Sequence, residues 1–229
     1  MKICIIGNSH VGALAKAIGS HPRALNIDLL GVIGSGLCSS LKIDQQYHLF
    51  SKDADINYKI NKSEVEALSN YSAIIIYGCQ LRARGIGKNW FKHIRKEAYN
   101  YSSAFSNAVM NEFVINSEHY RFLHKNRSLI SEMRDTRFIS MPCPKPNELM
   151  PIYSQWPLSS QRVQATDQKI RDTWDQLGVD FLDTPKLLET DQGLATKSKY
   201  KNERPGDFSH LNTEGGELVM NEIASYLKL

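Results

Sequence analysis

The chain has 229 residues, 41% hydrophobic, 23% charged and 9% aromatic, with a formal net charge of +4. Those proportions suit one globular domain with a large core, and the charge is too small to argue nucleic-acid binding without a concentrated basic patch. No apolar run approaches the roughly 18 residues that a membrane-spanning helix needs.

The N-terminal Met-Lys-Ile-Cys-Ile-Ile-Gly runs straight into a turn, without the longer apolar region and cleavage site of a signal peptide. The expected location is therefore the cytoplasm. Cys4, Cys38, Cys79 and Cys143 stand singly, with no Cys-x-x-Cys pair. They read as reduced thiols, and no Cys/His spacing suits a zinc site.

In chain order, Lys2 to Ile6 is a short β-rich apolar run, and Gly7 to His10 makes a turn. Val11, Leu14, Ala15 and Ile18 then form a helical stripe. A second run, Leu29 to Ile33, ends in Gly34-Ser35-Gly36. A third, Ala73 to Tyr77, ends in Gly78-Cys79-Gln80. A fourth, Phe138 to Met141, stops at Pro142-Cys143-Pro144. Ser159 to Leu177 predicts a helix closed by Gly178, leading to a fifth run, Val179 to Leu182, and its turn Asp183-Thr184-Pro185. Thr213 to Leu227 predicts the last helix, with Asn212 as N-cap and Val219, Ile223, Tyr226 and Leu227 on one face.

Continuous apolar runs of this length suit strands buried on both faces. Their alternation with helices predicts an α/β protein with a five-stranded parallel sheet, helices on both faces and right-handed crossovers. Two stretches, Leu37 to Asn70 and Leu81 to Arg137, exceed a minimal connection. The second is aromatic and helix-compatible, and predicts two or three helices capping one end of the sheet. The whole chain, 1–229, reads as a single domain with a helical insertion at about 81–137.

Ligands of open parallel sheets bind beyond the carboxyl ends of the strands. The turns there hold Ser9, Gly34 and Gly36, and Gly78 and Gln80, while Asp207 and His210 stand just before the last helix. A serine, an amide, several glycines and a late Asp-x-x-His are a set that nucleophilic acyl chemistry can use.

Gly7-Asn8-Ser9-His10, Gly78-Cys79-Gln80 and Asp207-Phe208-Ser209-His210-Leu211-Asn212 resemble the motifs of the SGNH (GDSL-type) hydrolase family in order and position, over essentially the whole chain. The resemblance implies a flavodoxin-like three-layer fold. It implies Ser9 as nucleophile, His210 as general base and Asp207 as the carboxylate that orients it. It also implies an oxyanion hole from the Ser9 N–H, the Gly36 N–H (in preference to Gly34) and the Gln80 side-chain amide. These roles make chemical sense. A serine hydroxyl needs an imidazole to take its proton, and a carboxylate fixes that imidazole's tautomer. No metal or organic cofactor is implied.

The motifs depart from the family at two positions: Asn8 replaces the usual aspartate, and Gln80 the usual asparagine. A longer Gln80 side chain shifts a donor that must sit about 2.7–3.1 Å from the oxyanion. Each residue also has a plainer reading. Ser9 alone would be a helix cap, His210 a surface or core histidine, Asp207 the cap of the turn after Pro205-Gly206, and Gln80 a buried amide. Gly34 and Gly36 suit simple turn geometry equally well. His10 at the first helical turn reads as a packing or solvent-facing residue, and Cys79 as core. The run Lys88 to Lys96 reads as a solvated helix face with a buried stripe. Gly7 to Gly12 lacks the spacing of a dinucleotide-binding turn.

The expected activity is serine-dependent ester hydrolysis through an acyl-enzyme, on an acylated carbohydrate or a small ester. Acyl transfer on the same triad, and a catalytically weakened carbohydrate-binding protein on the same fold, stay open beside it. No nucleic-acid partner and no membrane span are expected, and the sequence leaves the oligomeric state open.

Overall fold

The structure is a computed structural model that describes residues 1–20, 26–31, 41–51, 66–79, 118–150, 168, 171–172, 175 and 180–229. Its central sheet is built from β1 (Lys2–Gly7), β2 (Asn26–Gly31), β5 (Ala73–Cys79), β6 (Arg137–Pro142) and β7 (Asp180–Phe181). They lie in the order β2-β1-β5-β6-β7, and every neighbouring pair is parallel. Strand order reverses at β1, between β2 and β5, so the crevice at the carboxyl ends of β1 and β5 is where such sheets place ligands.

The apolar runs are continuous because the sheet is covered on both sides. Ile3, Ile5, Ile75, Tyr77, Ile139 and Met141 pack with Val11, Leu14 and Ala17 of α1 (Val11–Ser20) and with Val219, Met220 and Ile223 of α4 (Thr213–Leu227). The alternate residues Cys4, Ile6, Leu30, Ile74 and Ile76 face the other way. There they meet Leu41 and Ile43 of a small antiparallel hairpin, β3 (Leu41–Ile43) with β4 (Leu49–Ser51), and Phe122 and Leu123 of α2 (Glu118–Lys125). A further short helix, α3 (Arg127–Glu132), follows α2. Cys4 is fully buried in this layer, and burial pushes its thiol pKa up, which keeps it protonated.

Helices α1 and α4 pack closely. A Cβ added at Gly216 would overlap the carbonyl oxygen of Ala13, so only glycine allows α4 this near to α1. Asn212 caps α4, its Oδ1 accepting from the Gly215 N–H at 2.9 Å. The two helices thus bring the residues just before their amino ends, Ser9 and His210, to one place.

Several sequence expectations need correction. The second strand is Asn26–Gly31, beginning three residues before the apolar run at Leu29. Asp28 masked it: this carboxylate is buried in the strand because it accepts from Tyr71 Oη at 2.6 Å and pairs with Lys2 Nζ at 3.5 Å. Of the Leu81–Arg137 stretch only 118–137 are described, where Phe122 and Leu123 of α2 join the core cluster on one face of the sheet; the rest of the expected helical cap lies outside the described residues. Within Leu37–Asn70 the hairpin went unread. It turns on Asp44, whose Oδ1 accepts from the N–H groups of Gln46 and His48. Of the helix expected over Ser159–Leu177, only Gln168, Arg171, Asp172 and Asp175 are described, and all four are helical. The run Lys88 to Lys96 lies outside the described residues. No helix among the described residues is long and apolar enough to cross a membrane.

Candidate active site

The β1 carboxyl end turns at Asn8-Ser9-His10 into α1. The Asn8 carbonyl accepts from Val11 N–H at 3.1 Å and the Ser9 carbonyl from Gly12 N–H at 3.2 Å, so the turn is already helical in its hydrogen bonding. Ser9 is therefore held at the amino end of α1, where the helix dipole and unpaired N–H groups favour developing negative charge.

His210 comes to Ser9 on the segment before α4. That segment is pinned from three sides: Asn147 N–H donates to the Phe208 carbonyl at 2.7 Å, Asn202 N–H to the His210 carbonyl at 3.0 Å, and Asn202 Nδ2 to the Leu211 carbonyl at 3.3 Å. Asn147 is itself buried and donates from Nδ2 to the Lys197 carbonyl at 3.0 Å.

The three side chains are joined by short contacts. Ser9 Oγ lies 2.7 Å from His210 Nε2, and His210 Nδ1 lies 2.9 Å from both Asp207 carboxylate oxygens. Asp207 Oδ1 also accepts from the Ser209 and His210 N–H groups, each at 3.1 Å. Partial burial works against the charged form of Asp207. The hydrogen bonds from His210 and from the two backbone N–H groups outweigh it and hold the carboxyl below the usual carboxylate range. An ionised Asp207 accepts only, so Nδ1 carries the imidazole proton and Nε2 is left to accept from Ser9.

The neighbouring histidine is different. The His10 ring lies beside His210, with centroids 4.8 Å apart and planes 37° from parallel, and it also meets Tyr77 in a T-shaped arrangement at 6.5 Å. His10 Nδ1 is buried with no hydrogen-bond partner among the described residues. Burial, reinforced by the nearby His210, lowers its pKa to about 4, so this ring is neutral at pH 7.

The last residues of β5, which the sequence suggested as a turn, are fastened to the serine turn. Asn8 Nδ2 donates to the Gly78 carbonyl at 3.0 Å, while Asn8 Oδ1 accepts from His10 N–H at 3.1 Å. Gly78 has φ +87°, and a Cβ there would stand 2.5 Å from Asn8 Oδ1. Glycine is required on both counts.

Of the residues singled out in the sequence, Ser9, His210 and Asp207 converge, and His10 packs behind them. Gly34, Gly36 and Gln80 lie outside the described residues. Sequence reasoning missed the anchors Asn147 and Asn202, isolated polar residues in loops with no motif to mark them. It treated Asn8 only as a departure, although an amide that both donates and accepts across two turns is what this position uses. Among the described residues, no group of three or more His, Cys, Asp or Glu side chains is placed to hold a metal ion.

No protein-family model matches the chain, and no curated protein does. Solved structures do. One is a Streptococcus pneumoniae protein described as a candidate platelet activating factor, 18% identical, with 99% of this chain and 83% of that one covered at a TM-score of 0.52. Another is the lipase Lip_vut3 from a goat rumen metagenome, 13% identical, covering 98% of this chain and 96% of that one at a TM-score of 0.51. At such identities the likeness is one of fold. The chain shares a three-layer α/β fold with both, the architecture expected from its sequence motifs.

Proposed function

We propose that the chain is a serine-dependent enzyme of ester cleavage or acyl transfer, working through Ser9, His210 and Asp207. The observation that carries this reading is the unbroken path from Ser9 Oγ through His210 Nε2 and Nδ1 to Asp207, with both contacts under 3 Å. Likeness of fold to a lipase agrees with it.

His210 Nε2 takes the proton as Ser9 Oγ bonds to the acyl carbon, and the carbonyl electron pair moves onto its oxygen. That oxyanion develops at the amino end of α1, in a field that favours it. Its collapse breaks the bond to the leaving alkoxide, which takes the proton back from His210 and departs as the alcohol. Water, or an acceptor hydroxyl, then gives its proton to Nε2 and attacks the acyl-enzyme, and Ser9 leaves reprotonated. Asp207 keeps the imidazole in the right tautomer throughout and opposes the positive charge it gains. Gly36 and Gln80 are the further oxyanion donors in this reading, and the acyl carrier is an acylated carbohydrate or a small ester.

The test is the intact mass of the protein after exposure to a fluorophosphonate serine probe. Wild type should gain one adduct, Ser9→Ala none, and His210→Ala should react far more slowly. A folded wild type that gains no adduct, with the probe active on a control hydrolase, leaves a non-catalytic protein on this fold.

A further inference from the structure

Resting on that reading, we infer that His10 is a positioning residue for the general base: its ring, packed at a tilt with its centroid 4.8 Å from that of His210, holds the imidazole between Ser9 and Asp207. His210 is held by its Cβ, by Ser9 at Nε2 and by Asp207 at Nδ1, and the two hydrogen bonds tolerate small tilts of the ring that would lengthen the contact to Ser9. A ring packed beside the imidazole limits such tilting, and His10 supplies it.

The geometry of His10 suits the role. It follows the nucleophile directly in the chain, so whatever fixes the serine turn also fixes this ring. Its backbone N–H is tied to Asn8 Oδ1, and Tyr77 of β5 meets its ring edge-on. The groups facing it are therefore Tyr77 from the sheet and His210 with Asp207 from the segment before α4.

Its charge state suits the role as well. A second imidazolium at this distance would repel the one formed on His210 during reaction. Burial keeps His10 neutral at pH 7. An uncharged aromatic face is attracted to the charge that His210 acquires. The unpartnered Nδ1 fits this assignment, because the ring is used for its face and not as a donor or acceptor.

The experiment compares wild type with His10→Ala and His10→Phe by three readouts: thermal melting, the rate and pH profile of fluorophosphonate labelling, and the downfield proton resonance of His210 Nδ1–H, assigned by its absence in His210→Ala. In His10→Ala the labelling rate should fall by about 10–100-fold, with a displaced pH profile, as expected for a base misplaced by about an ångström. The resonance should broaden or vanish while the protein still melts cooperatively. His10→Phe, which restores a neutral ring, should recover the resonance and most of the rate. If His10→Ala does not fold, His10→Gln, close in volume but without a ring, takes its place under the same expectations.

Wild-type rate, pH profile and resonance in the ringless variant would overturn the assignment while leaving Ser9 as nucleophile. A wild type that never labels removes the catalytic reading instead. The resonance alone then decides whether His10 holds His210: its loss in the ringless variant supports the assignment, and its persistence overturns it.

Discussion

Asn8 Nδ2 donates to the Gly78 carbonyl at 3.0 Å, tying the turn that carries the serine to the carboxyl end of the neighbouring strand. The partners are 70 residues apart in sequence but sit at the carboxyl ends of β1 and β5, adjacent parallel strands of the sheet. An aspartate, usual here in the resembled family, cannot make this bond when ionised, because a carboxylate has no hydrogen to donate.

Asn8→Asp should therefore lose stability at neutral pH by about 1–3 kcal/mol, the usual cost of leaving a part-buried acceptor unsatisfied with a charge facing it. Urea denaturation at pH 7 measures this. The sign with pH is specific. Acidification protonates the new carboxyl and restores a donor, so the deficit should shrink toward pH 4. A deficit that does not change with pH would mean that the Asn8–Gly78 bond is not its source.

Asp207→Asn should leave the fold intact and cut fluorophosphonate labelling by about 10⁴, because an amide can no longer force the proton onto Nδ1. The pH dependence of its contribution to stability follows from the lowered carboxyl pKa of Asp207. A depressed folded-state value contributes stability above the ordinary aspartate range, and that contribution is lost as pH falls through the folded value. The stability advantage of wild type over Asp207→Asn should consequently disappear only in acid. Paired urea melts at pH 7 and pH 3 check this.

His10 gives a second pH signature. Its folded pKa of about 4 lies below the ordinary histidine value near 6.5, so the unfolded chain binds a proton between these values that the folded chain does not. Stability should then rise with pH across this window, by at most about 3 kcal/mol for the full shift. His10→Phe removes the titrating group, and its stability should be flatter between pH 4.5 and 6.5. Parallel slopes for the two proteins would mean that another histidine is responsible.

The sequence already held the strands and the last helix, because their signals are local. Lys2 to Ile6 and Ala73 to Tyr77 are unbroken apolar runs followed by glycine-bearing turns, and Asn212 precedes an amphipathic stretch that needs a cap. β2 was misread for a physical reason. Asp28 looks like a strand breaker until Tyr71 and Lys2, distant in sequence, are there to pair with it. The β3–β4 hairpin escaped because three-residue strands carry too few alternations to register.

The site divides in the same way. Chemistry-bearing types in a family-like order made Ser9, Asp207 and His210 legible one residue at a time. Sequence alone determined that a serine would stand at the start of the first helix and an Asp-x-x-His just before the last. Only the tertiary structure decided that they meet. The Gly216 contact lets α4 lie against α1, Asn147 and Asn202 pin the intervening segment, and Asn8 reaches Gly78. It also turned His10 from an unassigned neighbour into a ring packed at a tilt against His210. The reason is range: a cap or an apolar period is specified within a few residues, whereas a hydrogen bond across 201 positions exists only once the sheet has placed both ends.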